Sequence, residues 1–231
     1  MKSMFNETAD KFTRDTDRDI EEGGYIRGDL FLEMARLRIP AGGYILDYGC
    51  GPGRLGLLLA RSGFRVRGVD TASGMIAQAR KLDGRGCEIK FDVIDGFEDV
   101  LQPAVYDAVV CSSVIEYVPD PDTLLRGFHR VLRDSGVLII SYANKTSLWR
   151  RYWMRVGLPS PMRRDYHQVW DWNAFRGLLS KNGFRALERP KFFDSPCDGR
   201  FGRLIYSIPY LGQVGIVAAR RQQPAGAGNP G

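Results

Sequence analysis

The sequence predicts an α/β domain in which helices cover both faces of a mostly parallel sheet. Between residues 44 and 141, short apolar runs alternate with segments of helical spacing, and a glycine-rich turn follows the first apolar run. Such alternation is typical of parallel sheets whose strands are joined by helices. A chain of 231 residues with 44% apolar content is long enough for one domain with a substantial core. We therefore expect a single domain over residues 1–221.

Two helices are predicted before the sheet begins. Residues 3–20 are mostly polar with a few apolar positions, and Leu30, Met34 and Leu37 have helical spacing within residues 25–39. Pro40 and the glycines that follow it end the second helix. Residues 1–40 are therefore expected to form a helical cover on the domain.

The alternating elements follow in order along the central part of the chain. They are strand 44–48, helix 54–62, strand 65–69, helix 73–82, strand 87–92, strand 106–112, helix 121–133 and strand 137–141. Asp120 as N-cap and Pro121 as first residue predict the start of the last of these helices, and Asp134-Ser135-Gly136 predicts its end.

The C-terminal part of the chain is less regular. Residues 142–172 predict an irregular segment, and residues 171–181 predict a helix that ends at Asn182-Gly183. Two further strands are predicted, at 184–193 and 213–220. The tail 222–231 is rich in Gly, Ala and Pro and is expected to be disordered.

Charge and cysteine content limit the classes of function. The net charge is +6, with 18 Lys and Arg against 22 Asp and Glu in residues 1–140 but 15 against 5 in residues 141–231. Such a basic half attracts anionic ligands, or it forms only a solvated face. No run approaches the roughly 18 apolar residues of a membrane span, and no signal region is evident. We expect a cytoplasmic protein without a metal site, whose four widely spaced cysteines are reduced: Cys50, Cys87, Cys111 and Cys197.

The strongest chemical signal is the stretch from Ile45 to Gly56, a buried strand that runs into glycines and opens a helix. Glycines at this place permit a sharp turn and let the backbone approach a ligand closely. Gly51, Gly53 and Gly56 also satisfy the dinucleotide pattern, and Asp70 ends the next strand at a distance that suits a ribose-binding acid. The pattern predicts a nucleoside-containing cofactor without identifying it.

Four motifs, in order along the chain, carry a resemblance that identifies the cofactor. They are Asp47-Tyr48-Gly49-Cys50-Gly51-Pro52-Gly53, Val69 to Met75, Tyr106 to Val110 with Val114 to Pro121, and Val131 to Leu138. Together they resemble the class I S-adenosylmethionine-dependent methyltransferases, especially the ubiquinone- and menaquinone-biosynthesis type. The resemblance implies a Rossmann-like, seven-stranded sheet with an antiparallel last strand. It also implies S-adenosylmethionine as cofactor and S-adenosylhomocysteine as product.

The same resemblance implies the cofactor-binding residues. The glycine loop faces the methionyl part, and Asp70 binds the ribose hydroxyls. An acid after the third strand binds the adenine, and both Asp92-Val93 and Asp95-Gly96 fit that place, with Asp92 favoured because residues 87–91 suffice for the strand. The predicted set is Asp47, Gly49, Cys50, Gly51, Gly53, Asp70, Thr71, Met75, Asp92, Val93 and Ser112.

Acceptor recognition is predicted from the segment after the fifth strand, where this fold builds its acceptor pocket. His167 lies in this segment and is a candidate general base, whereas His129 lies beside apolar helix positions and is expected to be structural or at the surface. Many relatives carry Glu-His where this chain has Glu116-Tyr117, so a role of that His does not carry over. All four tryptophans lie in residues 142–175, where they form either a packed helix face or an aromatic pocket with arginines nearby. The predicted acceptor pocket contains Glu116, Tyr117, Tyr142, Trp149, Trp153, Tyr166 and Trp170.

These features predict methylation of a small molecule at oxygen, carbon or nitrogen. The acceptor is expected to be aromatic or lipophilic with an anionic group, and residues 142–172 are expected to form the acceptor-side insertion. One alternative is a nucleic-acid methyltransferase that uses the basic half, although no RNA-binding appendage and no base-flipping motif is recognisable. Another is a non-catalytic protein that binds the cofactor. No feature predicts an oligomeric state.

Overall fold

The computed structural model describes residues 2–23, 26–96, 102–155, 167–193 and 207–223, and these form one α/β sheet structure. The sheet has eight strands in the order β3-β2-β1-β4-β5-β8-β6, and β7 also pairs with β8. Strands β1 to β5 are mutually parallel where they pair, and β8 is antiparallel to β5. The strand bounds are β1 Tyr44–Tyr48, β2 Arg65–Asp70, β3 Ile89–Val93, β4 Tyr106–Cys111, β5 Leu132–Ala143, β6 Phe184–Ala186, β7 Lys191–Phe193 and β8 Val214–Arg221.

Seven α-helices lie in the described part of the chain, and a short 3-10 turn, Ile115–Tyr117, follows β4. The helix bounds are α1 Lys2–Gly23, α2 Ile26–Arg38, α3 Arg54–Arg61, α4 Ser73–Ala79, α5 Pro121–Val131, α6 Leu148–Arg155 and α7 Trp172–Lys181. The predicted α/β class, the parallel sheet and the antiparallel last strand are confirmed.

The two faces of the sheet each carry an apolar core. On one face, Phe128 of α5 and Phe175 of α7 pack with strand residues such as Leu138, and all three are fully buried. On the other face, Phe31 of α2 and Leu59 of α3 are fully buried in the second cluster. The helices therefore cover both faces, as the alternating pattern predicts.

Helix starts follow the capping chemistry of the sequence. Asp120 accepts a hydrogen bond from the Thr123 N–H at 3.0 Å, and Asp171 accepts one from the Ala174 N–H at 2.9 Å. Each carboxylate satisfies a backbone donor that the first helical turn leaves without a partner. The predicted starts of α5 and α7 are thus confirmed.

The strand predicted at 184–193 is interrupted. From Ala186 to Lys191 the chain advances five residues, while the paired positions on β8 advance only three, from Ala219 to Ile216. Pro190 lies in the interruption and has no backbone N–H for a ladder hydrogen bond. Because β6 and β7 pair along the same strand, the eight strands occupy the seven positions that the family resemblance implies.

Other boundaries also differ from the sequence-based expectations, since β3 begins at Ile89 rather than at residue 87 and α4 ends at Ala79 rather than at residue 82. Strand β5 begins at Leu132, and the predicted helix stop at 134–136 lies within it, with Ser135 at a φ of 63°. The segment 142–172 contains the helix α6 where an irregular chain was expected. Residues 156–166, Cys197 and residues 224–231 of the predicted tail lie outside the described residues. Within the described residues, no helix is both long and apolar enough to cross a membrane.

Candidate functional site

The glycine loop lies between β1 and α3, at the carboxyl ends of the parallel strands. Its Gly49 and Cys50 N–H groups donate to the Val69 carbonyl at 2.8 and 3.0 Å, which joins the loop to β2. Gly53 caps α3 with a φ of 81°, and a Cβ there would lie 2.7 Å from Cζ of Phe91. Glycine is therefore required at this position by both backbone conformation and packing.

Asp70 ends β2 and holds the two neighbouring loops together. Its carboxylate accepts hydrogen bonds from the Gly51 N–H at 2.9 Å and the Ala72 N–H at 2.8 Å. Burial raises the pKa of Asp70, while these backbone donors act in the opposite direction. The predicted ribose-binding acid is thus fixed directly beside the glycine loop, and Thr71 follows it at a half-buried position.

Asp47, in β1, is buried behind the same loop and is only 1% exposed. Within the described part of the chain its Oδ2 atom has no hydrogen-bond partner. Burial, together with the negative charge of Asp70, raises the pKa of Asp47 to about 7, although the Gly56 N–H acts in the opposite direction. Two acidic side chains that repel each other therefore lie beside the loop.

Cys50 and Met75, two other predicted cofactor residues, are largely buried in packing contacts. Cys50 is 7% exposed and packs with Phe91, and burial raises the pKa of its thiol. Met75 is 2% exposed and packs with Ala9 of α1. Any contact of Cys50 with a ligand would therefore come from its backbone rather than from its sulfur.

The two alternative adenine acids occupy different surroundings. Asp92 lies within β3 and accepts a hydrogen bond from Arg67 at 3.0 Å, and its other oxygen lies 3.2 Å from Nζ of Lys90. Partial burial opposes its ionisation, but these two cations lower the pKa of Asp92. The next residue, Val93, is 41% exposed at the strand end. Asp95-Gly96 follows the strand, where the chain leaves the sheet.

The residues after β4 are joined to α2 through Arg27, which the sequence analysis missed. Arg27 donates to the hydroxyl of Ser113 at 2.6 Å and to that of Ser112 at 3.4 Å. The Ser113 N–H in turn donates to the Ser141 hydroxyl at 2.8 Å. No local pattern marks Arg27, because its partners lie more than 80 residues away in the sequence.

Glu116 and Tyr117 lie in the 3-10 turn that follows. The Glu116 carboxyl group is fully buried, and its pKa is raised to about 7 by burial, while its own backbone N–H and the charges of Arg27 and Arg150 act in the opposite direction. Tyr117 is 5% exposed, and its ring meets the ring of Phe5 edge to face at a centroid distance of 5.6 Å. Helix α1 therefore reaches the predicted acceptor side.

Helix α1 also contacts the starts of both helices beside the glycine loop. The side chain of Asn6 accepts a hydrogen bond from the Gly74 N–H at 2.9 Å, in the first turn of α4. Asp17 forms an ion pair with Arg54, the first residue of α3. Together with the contact at Tyr117, these bonds place α1 across the carboxyl ends of β1, β2 and β4.

The predicted aromatic pocket is divided by the structure. Tyr142 and Trp170 belong to the core, and the ring of Tyr142 stacks on Phe175 at a centroid distance of 4.1 Å. Burial and the charge of Asp171 raise the pKa of Tyr142. Trp149 is half-buried on α6. The side chain of Trp153 and all of Tyr166 lie outside the described residues.

His167, the predicted base, has an exposed side chain. Its backbone N–H donates to the Glu116 carbonyl at 2.8 Å, so the contact with the site is made by the main chain. A catalytic role of His167 stays a prediction. His129 is half-buried on α5, where its Nε2 lies 2.9 Å from the Gln222 carbonyl and its ring meets Phe184 edge to face.

Comparison with known proteins agrees with this geometry. Residues 23–189 match the family model described as a methyltransferase domain. A ubiquinone biosynthesis O-methyltransferase of Xylella fastidiosa is 39% identical over 119 residues, which are 50% of this chain and 48% of that protein. A protein of the same name from Xanthomonas oryzae is 37% identical over 115 residues, 48% and 47% of the two chains. The chain thus matches about half the length of these curated relatives.

Solved structures extend the likeness to nearly the whole fold. Magnesium protoporphyrin IX methyltransferase from Synechocystis, solved with bound S-adenosylhomocysteine, superposes with a TM-score of 0.67 at 22% identity, covering 96% of this chain and 100% of that one. An S-adenosylmethionine-dependent methyltransferase from Thermotoga maritima gives 0.69 at 19% identity, with the same coverage. These likenesses show the fold. Because the family model matches well over half of the residues, including the glycine loop and the strands around it, the chain belongs to the methyltransferase domain family, as its four motifs predict.

Proposed function

We propose that this chain transfers a methyl group from S-adenosylmethionine to a small-molecule acceptor and releases S-adenosylhomocysteine. The observation that carries the proposal is the acidic pair Asp47 and Asp70 beside the glycine loop. Burial and then the negative charge of Asp70 raise the pKa of Asp47, and a positively charged ligand group nearby would offset both effects. S-adenosylmethionine carries a sulfonium and an ammonium group, whereas a dinucleotide would bring an anionic pyrophosphate to the same loop. The acidic pair therefore favours S-adenosylmethionine.

The residues around the loop fit this cofactor. A Cβ at Gly51 would meet no described protein atom within 4 Å, so the loop leaves space on its outer side. Asp70 is oriented by two backbone donors and keeps further acceptor capacity for ribose hydroxyls. Arg27 adds a cation beside Ser112. We infer that Asp95-Gly96, which follows β3 where the chain leaves the sheet, lies at the adenine. When bound, the sulfonium supplies an electrophilic methyl group, and the chain supplies orientation and exclusion of water.

The acceptor is proposed to be aromatic or lipophilic, with an anionic group. Two large apolar side chains of α6 are exposed, Leu148 by 52% and Tyr152 by 53%, and Arg151 and Arg155 lie on the same helix with exposed side chains. The names of the matched relatives support oxygen as the methylated atom. Residues 1–40 as the cover, residues 142–172 as the acceptor-side insertion and a cytoplasmic location are part of the same proposal.

The test uses S-adenosylmethionine with a labelled methyl group, purified protein and a cell extract. We expect label in small metabolites and none above background in RNA or protein. The variant Asp70→Ala serves as the matched control, because at a cofactor concentration near the wild-type Kd it should lower labelling strongly without removing the acceptor side. Transfer into RNA would change the substrate class to nucleic acid, and calorimetric binding of NAD but not of S-adenosylhomocysteine would refute the proposal.

A further inference from the structure

A group of exposed apolar side chains lies on α6 and on the turn that precedes β8. Four of the eight large apolar side chains that are exposed in the described residues are found there: Leu148, Tyr152, Ile208 and Tyr210. The Leu148 N–H donates to the Tyr210 carbonyl at 2.8 Å, so the two segments are adjacent. Single exposed apolar residues are normal, whereas a group of them marks a surface that meets a partner.

The exposed side of α6 combines apolar and basic residues. Positions i, i+3, i+4 and i+7 lie on one side of a helix, and in α6 these positions carry the exposed side chains of Leu148, Arg151, Tyr152 and Arg155. Lys145, just before the helix, is exposed as well. We define the α6 surface as Leu148, Arg151, Tyr152, Arg155, Ile208 and Tyr210.

Buried hydrogen bonds fix this surface in place. Arg150, which is 5% exposed, donates to the carbonyls of Asn144 at 3.0 Å and Gln213 at 2.8 Å. The side-chain amide of Asn144 donates to the carbonyls of Pro209 at 2.6 Å and Gly212 at 2.8 Å. The helix and the turn before β8 are therefore held together by their buried sides, and their exposed sides form one continuous surface.

The α6 surface lies at the same edge of the sheet as the glycine loop. Helix α6 follows β5, and the turn precedes β8, which is antiparallel to β5. Both segments are therefore found at the carboxyl end of β5, and β5 is parallel to β4 and β4 to β1, the strand that the glycine loop follows. The surface belongs to the proposed acceptor side of the protein.

The sequence around the α6 surface carries no acidic residue. No Asp or Glu occurs from residue 135 to residue 164 or from residue 199 to residue 231. An anionic partner is therefore attracted, whereas two copies of this face would repel each other in a symmetric dimer. Leu, Tyr and Arg side chains together suit the boundary of a bilayer, because the apolar parts enter the lipid while the cations reach its phosphates.

We propose that the α6 surface docks on a membrane that contains anionic lipids. The inference goes beyond the proposed function, because methyl transfer by itself requires no such contact. Leu148 and Tyr152 enter the boundary between headgroups and acyl chains, and Arg151 and Arg155 bind lipid phosphates. A helix of eight residues lies on a bilayer rather than across it. Docking in this orientation turns the proposed acceptor side toward the lipid.

The test is cosedimentation of the full chain with vesicles. One set contains phosphatidylcholine alone, and the other contains phosphatidylcholine and phosphatidylglycerol in equal amounts. We expect binding only to the vesicles with phosphatidylglycerol. Most of this binding should be lost when the salt concentration rises from about 0.1 M to about 1 M, because the screening length falls about threefold.

Variants of the α6 surface separate its two contributions. The double variant Arg151→Gln/Arg155→Gln should weaken vesicle binding about 25-fold, because each arginine beside an anionic lipid surface contributes about a factor of five. Leu148→Ser/Tyr152→Ser should weaken it about tenfold or more, because less apolar area is buried in the lipid. Arg151→Lys/Arg155→Lys should stay within about threefold of wild type, since the positive charge is kept.

The matched control is Arg126→Gln/Arg130→Gln, which removes the same charge from two exposed positions of α5. It should change vesicle binding by less than about twofold, because these positions lie outside the α6 surface. The urea midpoint of unfolding should stay that of wild type for all of these variants, because every substituted side chain is exposed.

Three outcomes would overturn the inference. One is an absence of binding to phosphatidylglycerol vesicles at low salt. Another is an equal loss of binding in the α5 and α6 arginine variants, which would mean that only the net charge matters, or no loss in Leu148→Ser/Tyr152→Ser. The third is tight binding of bulk RNA that Arg151→Gln/Arg155→Gln abolishes while vesicles are not bound, which would assign the surface to nucleic acid.

Discussion

Replacing Glu116 by Gln should change how the stability of the protein depends on pH. The pKa of Glu116 is raised from 4.5 to about 7 in the folded protein. A raised pKa means that the folded state holds its proton more tightly than the unfolded chain does. The resulting stabilisation is fully present below pH 4.5 and is lost as the pH rises through about 7.

The size of the effect follows from that difference. About 1.4 kcal/mol per pH unit, over the interval from the unfolded to the folded pKa, gives a loss of about 3 kcal/mol from wild type between pH 4 and pH 8. The neutral amide of Glu116→Gln has no such loss. The free energy of unfolding of the variant, minus that of wild type, should therefore rise by about 3 kcal/mol over this range.

Urea unfolding at half-unit steps from pH 4 to pH 8, followed by circular dichroism, measures this difference. For Asp47→Asn, the free energy of unfolding minus that of wild type should also rise with pH, because burial and the charge of Asp70 raise the pKa of Asp47 from 3.8 to about 7. The exposed variant Glu88→Gln should show none, since its side chain is 74% exposed. A difference between Glu116→Gln and wild type that stays constant within about 0.5 kcal/mol, the usual effect of a surface substitution, would refute the reasoning.

Three further predictions concern the cofactor loop. Asp70→Ala should weaken S-adenosylhomocysteine binding about 30-fold, because about 2 kcal/mol is lost when ribose hydroxyls have no acceptor, and calorimetry that finds less than a threefold change would contradict it. Asp95→Ala should weaken the same binding. Asp92→Asn should instead lower the urea midpoint of unfolding, because Asp92 is paired with Arg67. The reverse pattern would indicate that Asp92, rather than Asp95, binds the adenine. Gly53→Ala should lower the free energy of unfolding by about 1–3 kcal/mol more than Gly63→Ala does. Both glycines have a positive φ, but an added Cβ is within 4 Å of protein atoms only at Gly53. Equal losses in urea unfolding would contradict the packing argument.

Much of the fold follows from local pattern. The central strands β1, β4 and β5 contain continuous apolar runs, and the helices have apolar positions at helical spacing, so these elements carry their own signal. Asp70 and the glycines could be located because a single turn requires them within a few residues. Asp120 and Asp171 similarly mark helix starts whose donors lie three residues ahead.

The rest depends on contacts between distant parts of the chain. Arg27 meets Ser113 across 86 positions, and no local pattern contains that distance. The sequence does not distinguish an aromatic residue that lines a pocket from one that lies in a core. Tyr142 could therefore not be assigned to the core before its stacking on Phe175 was known. The ion pair of Asp92 with Arg67 likewise joins two neighbouring strands, and no local pattern contains it.

The position of α1 has a consequence for the timing of each reaction cycle. This helix is tied to α4 through Asn6 and to α3 through the ion pair of Asp17. In the proposed role of residues 1–40 as a cover, a ligand on the glycine loop would exchange only while these bonds are open. Undocking of a helix of this size takes microseconds to milliseconds or longer, which is slow enough to compete with chemistry. Departure of the spent cofactor, rather than methyl transfer, would then set the maximal rate. Since salt screens exposed ion pairs, moderate salt would shorten the residence of the product.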